Sequence, residues 1–251
     1  MAAKGVGNER RYLHSAHARF VSRWQRLPAV TGSILDGYFD EFHSRLMPLV
    51  KQRDYPGAET LCNEYVALAD AAKDPDAAAM FVGFLGHVLA FARRDADALA
   101  AYERAERYTP GDPQRKIATA QYLTQLGRSN DAWNKLAEAK PFLTTFPETY
   151  HWLNERGLAA LASGRSSSAV ECMKELAQED RLAIIRTHGI SLAYQVDLRL
   201  VSQLVAKGLA RADCITYLRA AEELGSQKDD PREVEALKAV RDLLAKAEVG
   251  A

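Results

Sequence analysis

Long apolar runs are missing from this chain of 251 residues. No stretch approaches the ~20 apolar residues that a bilayer-spanning helix needs. The amino terminus also lacks the apolar segment of a secretory signal. Strand-like alternation and β-branched runs are scarce, which argues against a sheet. Cysteines number only three (Cys62, Cys172 and Cys214), far apart and without a C-x-x-C pair, so a disulfide framework is not expected. Each lies in an apolar helical pattern, where it reads as a small buried hydrophobe. Net charge is lacking too: 33 Lys and Arg balance 33 Asp and Glu. Nothing global therefore draws the chain to nucleic acid or an anionic membrane. These absences together predict a soluble, cytoplasmic, reduced protein.

Catalytic signatures are absent as well. There is no G-x-S-x-G, no H-E-x-x-H and no pair of carboxylates set for acid–base work. His14 and His17 form a close pair that could offer two metal ligands from one helix face, but no nearby cysteine or carboxylate completes a set. His17 also falls on the apolar side, where packing explains it. Ser166, Ser167 and Ser168 after Gly164 and Arg165 lack the second glycine and the lysine of a phosphate loop, and no strand precedes them. Helix capping accounts for them. No enzyme, cofactor or metal is expected.

What is present is helix-forming composition and unusually legible helix starts. Alanine, leucine, arginine and glutamate dominate. Asp74-Pro75, Asp112-Pro113 and Asp230-Pro231 each set an N-cap carboxylate before a proline whose missing N–H costs nothing at the first helical position. Thr145 and Glu148 form a capping box across Phe146-Pro147. Short turns such as Gly127 to Asn130 and Ser163 to Arg165 separate the helices.

Between Ala79 and Asp112 the first helix of a hairpin carries Val82, Leu85, Gly86 and Leu89, the second carries Ala98, Leu99, Tyr102 and Ala105, and Pro110 ends the unit. Gly86 and Ala98 are small where two helices must approach, and Tyr102 fills the space they leave. A following unit from Pro113 keeps Ala120, Leu123, Gly127, Ala132, Leu136 and Ala139, and another from Tyr150 keeps Leu153, Gly157, Ala160, Gly164, Ala169 and Met173. An earlier, fainter one has Leu46, Leu49, Ala58 and Cys62. This pattern resembles the tetratricopeptide repeat, a helix–turn–helix unit of about 34 residues. The alanines that open each second helix, Ala58, Ala98, Ala132 and Ala169, are separated by 40, 34 and 37 residues, so the array is degenerate.

The resemblance implies an all-α fold: an α-solenoid of stacked antiparallel helical hairpins in a right-handed superhelix over residues 31–251, with its clearest repeats at 79–112, 113–149 and 150–180. Arg181 to Lys207 reads as one helix or two, and Ala210 to Leu224 as a further one. A C-terminal capping helix runs from Pro231 to about Ala247, with Val234, Leu237, Val240 and Leu244 as its apolar stripe.

The resemblance further implies a concave groove lined by the first helix of each repeat. Its positions carry over to Met80, Gly83, His87 and Ala90, then Gln114, Ile117, Gln121 and Thr124, then His151, Asn154, Leu158 and Leu161, with Trp152 beside them. Amides, imidazoles and apolar groups mixed in this way suit an extended peptide or a helix of a partner protein. The positions of the family's dicarboxylate clamp hold Gly83, His87, Ala118, His151 and Glu155 here, so capture of an acidic chaperone terminus is not expected.

Residues 1–30 stand apart. Lys4, Arg10, Arg11, Arg19, Arg23 and Arg26 face a single acid, Glu9, and Leu13, Phe20, Val21, Trp24 and Leu27 share one helical arc opposite Arg19, Arg23 and Arg26. A basic amphipathic helix of this kind fits a cap on the first repeat, a docking or membrane-surface element, or a targeting segment. Nucleic acid is the least favoured partner, because no aromatic platform accompanies the arginines. Overall the expected role is a non-catalytic adaptor or scaffold that binds protein in the groove. The alternatives are a structural subunit of a larger assembly, or a regulator tethered by the N-terminal helix; the oligomeric state stays open.

Overall fold

The computed structural model describes residues 35–179, 182–183, 196–225 and 231–249. Among them the chain forms eleven α-helices and no strand, and successive helices pack on their neighbours. No helix among the described residues is long and apolar enough to cross a membrane. The basic helix expected over residues 1–30, with Arg19, Arg23, Trp24 and Arg26, lies outside the described residues, as do His14 and His17. The chain divides into two compact units, with the boundary after Arg165.

The first unit holds α1 (Leu35–Gln52), α2 (Tyr55–Ala72), α3 (Pro75–Phe91), α4 (Asp95–Tyr108), α5 (Pro113–Gln125), α6 (Ser129–Ala139), a single 3-10 turn (Lys140–Phe142) and α7 (Phe146–Ala162). The expected starts are there. Asp74 accepts from Ala77 N–H at 2.9 Å, Asp112 accepts from Gln114 N–H at 2.8 Å, and both halves of the Thr145–Glu148 box are made. Asp54 adds a cap that the sequence pattern did not single out, accepting from Gly57 N–H at 3.0 Å.

The ends follow one rule. Arg53, Lys73, Arg93, Gly127 and Gly164 all sit in the left-handed region, with φ between 57° and 77°. At each, two backbone bonds close the same C-terminal motif; Lys73 N–H reaches Asp70 C=O at 3.1 Å and Asp74 N–H reaches Ala69 C=O at 3.0 Å. The next helix then opens on an alanine, whose N–H finds the cap carbonyl: Ala58 on Asp54, Ala78 on Asp74, Ala98 on Arg94 and Ala132 on Arg128. The 40-residue interval from Ala58 to Ala98 is therefore two equal helix–turn units, with Ala78 opening the one between them.

Burial explains why α3 anchors this unit. After Asp76 its segment carries no charged residue, and every residue from Ala77 to Gly86 is buried. A helix apolar on all sides has no stable place on a surface. Phe42 of α1 meets Phe81 and Phe84 of α3 at ring-centroid distances of 4.9 and 5.1 Å, and Tyr65 of α2 at 4.9 Å. Burying each such ring contributes roughly 1.5–3 kcal/mol. On the other side α3 approaches α4 closely, since a Cβ built at Gly86 would stand 3.0 Å from Tyr102. Ala98 is fully buried and Tyr102 nearly so, as the small-residue pattern requires.

The second unit holds α8 (Ser166–Leu176), α9 (Arg199–Ala206), α10 (Arg211–Gly225) and α11 (Pro231–Val249). The left-handed turn recurs at Gly208. Tyr217 of α10 is 2% exposed and its hydroxyl donates to Asp197 C=O at 3.3 Å. The apolar stripe expected on α11 needs one correction. Val234 is 55% exposed; the buried line runs through Glu233, Val240 and Ala247 instead, with Leu237 and Leu244 half-buried beside it. Arg241 ties α11 to Glu222 of α10 at 2.7 Å.

Candidate binding face

The residues assigned to the groove come from α3, α5 and α7, the helices that begin at Pro75, at Pro113 and with the Thr145 box. The structure sorts them into a floor and a rim. Met80 and Ile117 are fully buried, while Trp152, Asn154 and Leu158 are at most 5% exposed. These five, expected to touch a partner, are buried in the packing between helices. Trp152 Nε1 donates to Leu136 C=O at 2.7 Å, and Asn154 Nδ2 donates to Tyr150 C=O of its own helix at 3.0 Å. Gly83 and Leu161 are likewise buried.

The rim is polar and half-buried: His87, Gln114, Gln121, Thr124 and His151. His87 Nδ1 lies 2.8 Å from the Tyr102 hydroxyl, which fixes the imidazole against α4. His151 Nδ1 lies 3.3 Å from Gln114 Oε1, joining α7 to α5, and its Nε2 lies 3.6 Å from the Glu155 carboxylate. Thr124 Oγ1 donates back to Ala120 C=O at 3.0 Å. Gln121 makes no side-chain hydrogen bond among the described residues, which leaves its amide able to bond a ligand.

Two charged groups lie under this rim. Glu155 is 1% exposed, so it faces the interior beside His151. Arg115 is 7% exposed; burial pulls its guanidinium below the ordinary value, against Asp112 at 3.3 Å and the field of Asp76. Arginine remains charged even so. It lies where α3 has no side chain, since a Cβ at Gly83 would stand 3.4 Å from Nη1. Arg115 escaped the sequence reading because it occupies a position that the repeat pattern assigns to neither core nor groove.

No group of three or more His, Cys, Asp or Glu side chains among the described residues is placed to hold a metal ion. All three cysteines are buried, and burial pushes the Cys62 and Cys214 thiols up to about 12, so they stay protonated and unreactive near neutrality. An open cavity of about 470 Å³ is lined by Arg45, Pro48 and Leu49 of α1 and by Gly57, Thr60, Leu61 and Glu64 of α2, away from the rim. The rim spreads its hydrogen-bonding groups over three helices. That geometry suits a long ligand better than a compact one. Compared with known proteins, the chain matches no protein-family model and no curated sequence.

Proposed function

We propose that the chain is a degenerate tetratricopeptide-like α-solenoid, wound as a right-handed superhelix, that serves as a non-catalytic adaptor. It binds an extended segment or a helix of a partner protein along α3, α5 and α7. One observation carries this reading: half-buried amide, hydroxyl and imidazole groups at His87, Gln114, Gln121, Thr124 and His151 are spread over three packed helices on an apolar floor. Amides at such spacing meet the backbone N–H and C=O groups of an extended segment, and the floor holds them in place. The face carries no lysine or arginine at the dicarboxylate-clamp positions, so a free acidic chaperone terminus is not its ligand. A reduced, cytoplasmic setting suits the three free cysteines.

The test uses rim residues, since truncating Asn154 would disturb the core. A photo-crosslinker placed at Thr124 of the full chain captures the partner in its native cell, and Gln121→Ala with His151→Ala abolishes capture while the helical circular-dichroism signal is unchanged. Capture that survives every rim substitution removes the proposal.

A further inference from the structure

Away from the rim, α1 and α2 share an outer face with a pattern of its own. On α1 Tyr38, Glu41, Arg45 and Pro48 recur every three or four positions, and on α2 Gly57, Leu61, Glu64 and Leu68 do the same. Residues spaced in this way lie on one side of a helix. The two lines belong to one face: Arg45 reaches Glu64 at 3.6 Å, and the Tyr38 and Tyr65 ring centroids are 6.3 Å apart. No rim residue lies on either helix.

The two ends of this face are opposite in shape. At one end Tyr38 and Leu68 stand out, 44% and 49% exposed. At the other an open cavity of about 470 Å³ sinks between Pro48 and Leu49 of α1 and Gly57 and Leu61 of α2. The cap of α2 keeps that hollow empty of side chain, since a Cβ at Gly57 would stand 2.3 Å from the Asp54 carboxylate. Midway, Arg45 lies between Glu41 at 3.5 Å and Glu64 at 3.6 Å.

A knob and a hollow at opposite ends of one face, with charges midway, make that face complementary to itself. A two-fold axis running across the helices lays each end on the other. Turning α1 about position 43 sets Tyr38 over Pro48 and Glu41 over Arg45. Turning α2 midway between Cys62 and Asn63 sets Leu68 over Gly57 and Glu64 over Leu61. Because Arg45 touches Glu64, the two centres stand within about one helical turn of each other, and a single axis serves both. Two 18-residue helices side by side offer a face of about 27 by 20 Å, so two copies bury on the order of 1,000 Å² in total. That reaches the lower limit for a specific interface and suits a dimer that dissociates near micromolar concentration.

We propose that this face pairs with the same face of a second copy of the chain. In the resulting two-fold dimer Leu68 fills the hollow over Gly57 of the other copy, and Glu41 meets Arg45 across the axis.

Sedimentation velocity of the full chain from about 1 to 200 μM tests this. Expected is a reversible monomer–dimer equilibrium. Leu68→Glu sets a charge in the hollow and weakens it more than about tenfold. Val234→Glu, at an apolar residue 55% exposed on α11, leaves it intact. Glu41→Arg alone and Arg45→Glu alone each set like charges opposite one another and weaken self-association about tenfold. An equimolar mixture of those two variants pairs again, because each then meets its opposite charge in the other; a purely structural effect gives no such rescue. Gln121→Ala with His151→Ala leaves the dimer unchanged, which separates this face from the rim. A chain that stays monomeric over the whole range, whatever other segment or protein holds the face, overturns the proposal. So does a dimer that Leu68→Glu does not weaken, or a mixture that does not restore pairing. Unchanged circular dichroism certifies the fold of every variant.

Discussion

From Leu35 to Tyr108 the helices are joined by left-handed residues every 20 positions, at Arg53, Lys73 and Arg93, and the third helix is buried along most of its length. From Pro113 to Ala162 the same turn falls on glycines, at Gly127 and then just beyond at Gly164; α5 buries one side while leaving polar groups half-buried on the other, and α7 is buried from Trp152 to Leu161 except at Arg156. The first stretch spends its side chains on packing: α3 alone contributes Met80, Phe81 and Val82 at zero exposure. The second leaves the Gln121 amide and the His151 imidazole half-buried. Packing is thus most concentrated in α3 and half-buried polar groups in α5, a division of labour between helices joined by one repeated turn.

Phe81→Ala strikes the packing stretch hardest. It empties a fully buried site and should cost about 3–5 kcal/mol in chemical denaturation. Gln121→Ala in the second stretch should cost less than about 0.5 kcal/mol, as for ordinary surface changes. Equal losses would break the division of labour. Gly86→Val, which forces Tyr102 away from α3, should cost about 1–3 kcal/mol and blue-shift or broaden no Trp signal, because the strain stays between α3 and α4.

Glu148→Ala probes the second stretch through its cap and should cost about 1 kcal/mol at neutral pH. Burial disfavours ionised Glu148, but N–H groups of Thr144 and Thr145 at 2.8 and 3.0 Å outweigh it and hold the carboxyl below its ordinary value of 4.5. A depressed folded value means the stabilisation is complete above the unfolded value. It is lost as pH falls through the folded one. The difference between wild type and Glu148→Ala should therefore shrink below pH 4.5, and a pH-independent gap would refute the assignment. Smallest is a gain: Lys73→Gly relieves a left-handed lysine and should add about 0.5–1 kcal/mol, whereas Gly127→Ala should lose a similar amount.

Much of the fold was legible because caps are local chemistry. Asp74, Asp112 and the Thr145–Glu148 box are read from neighbouring residues alone, and so are the alanines at Ala58, Ala98 and Ala132. The turns at Arg53, Lys73 and Arg93 were hidden, since arginine and lysine do not announce a positive φ as glycine does; without them Ala78 passed unnoticed as a helix opener. The site was legible only in part. Position within a repeat does not tell how closely the next helix approaches, so Gln121 and His151 are half-buried, whereas Met80, Ile117 and Leu158 were assigned to contact and found in the core. The contact of Arg156 with Trp133 was invisible because the two meet across 23 residues of chain with no periodic relation.

The turn repeated after Gln52, Ala72 and Ala92 closes through bonds among residues within five positions of one another. In the first unit α1 to α6 pack mainly on the helix before and the helix after, and α7 packs on both α5 and α6. Contact order is consequently low, so the first unit should fold quickly and be able to fray from its α1 end while α3 holds. A chain with this grammar can gain or lose a whole 20-residue helix and turn during evolution without rewriting the joints that remain.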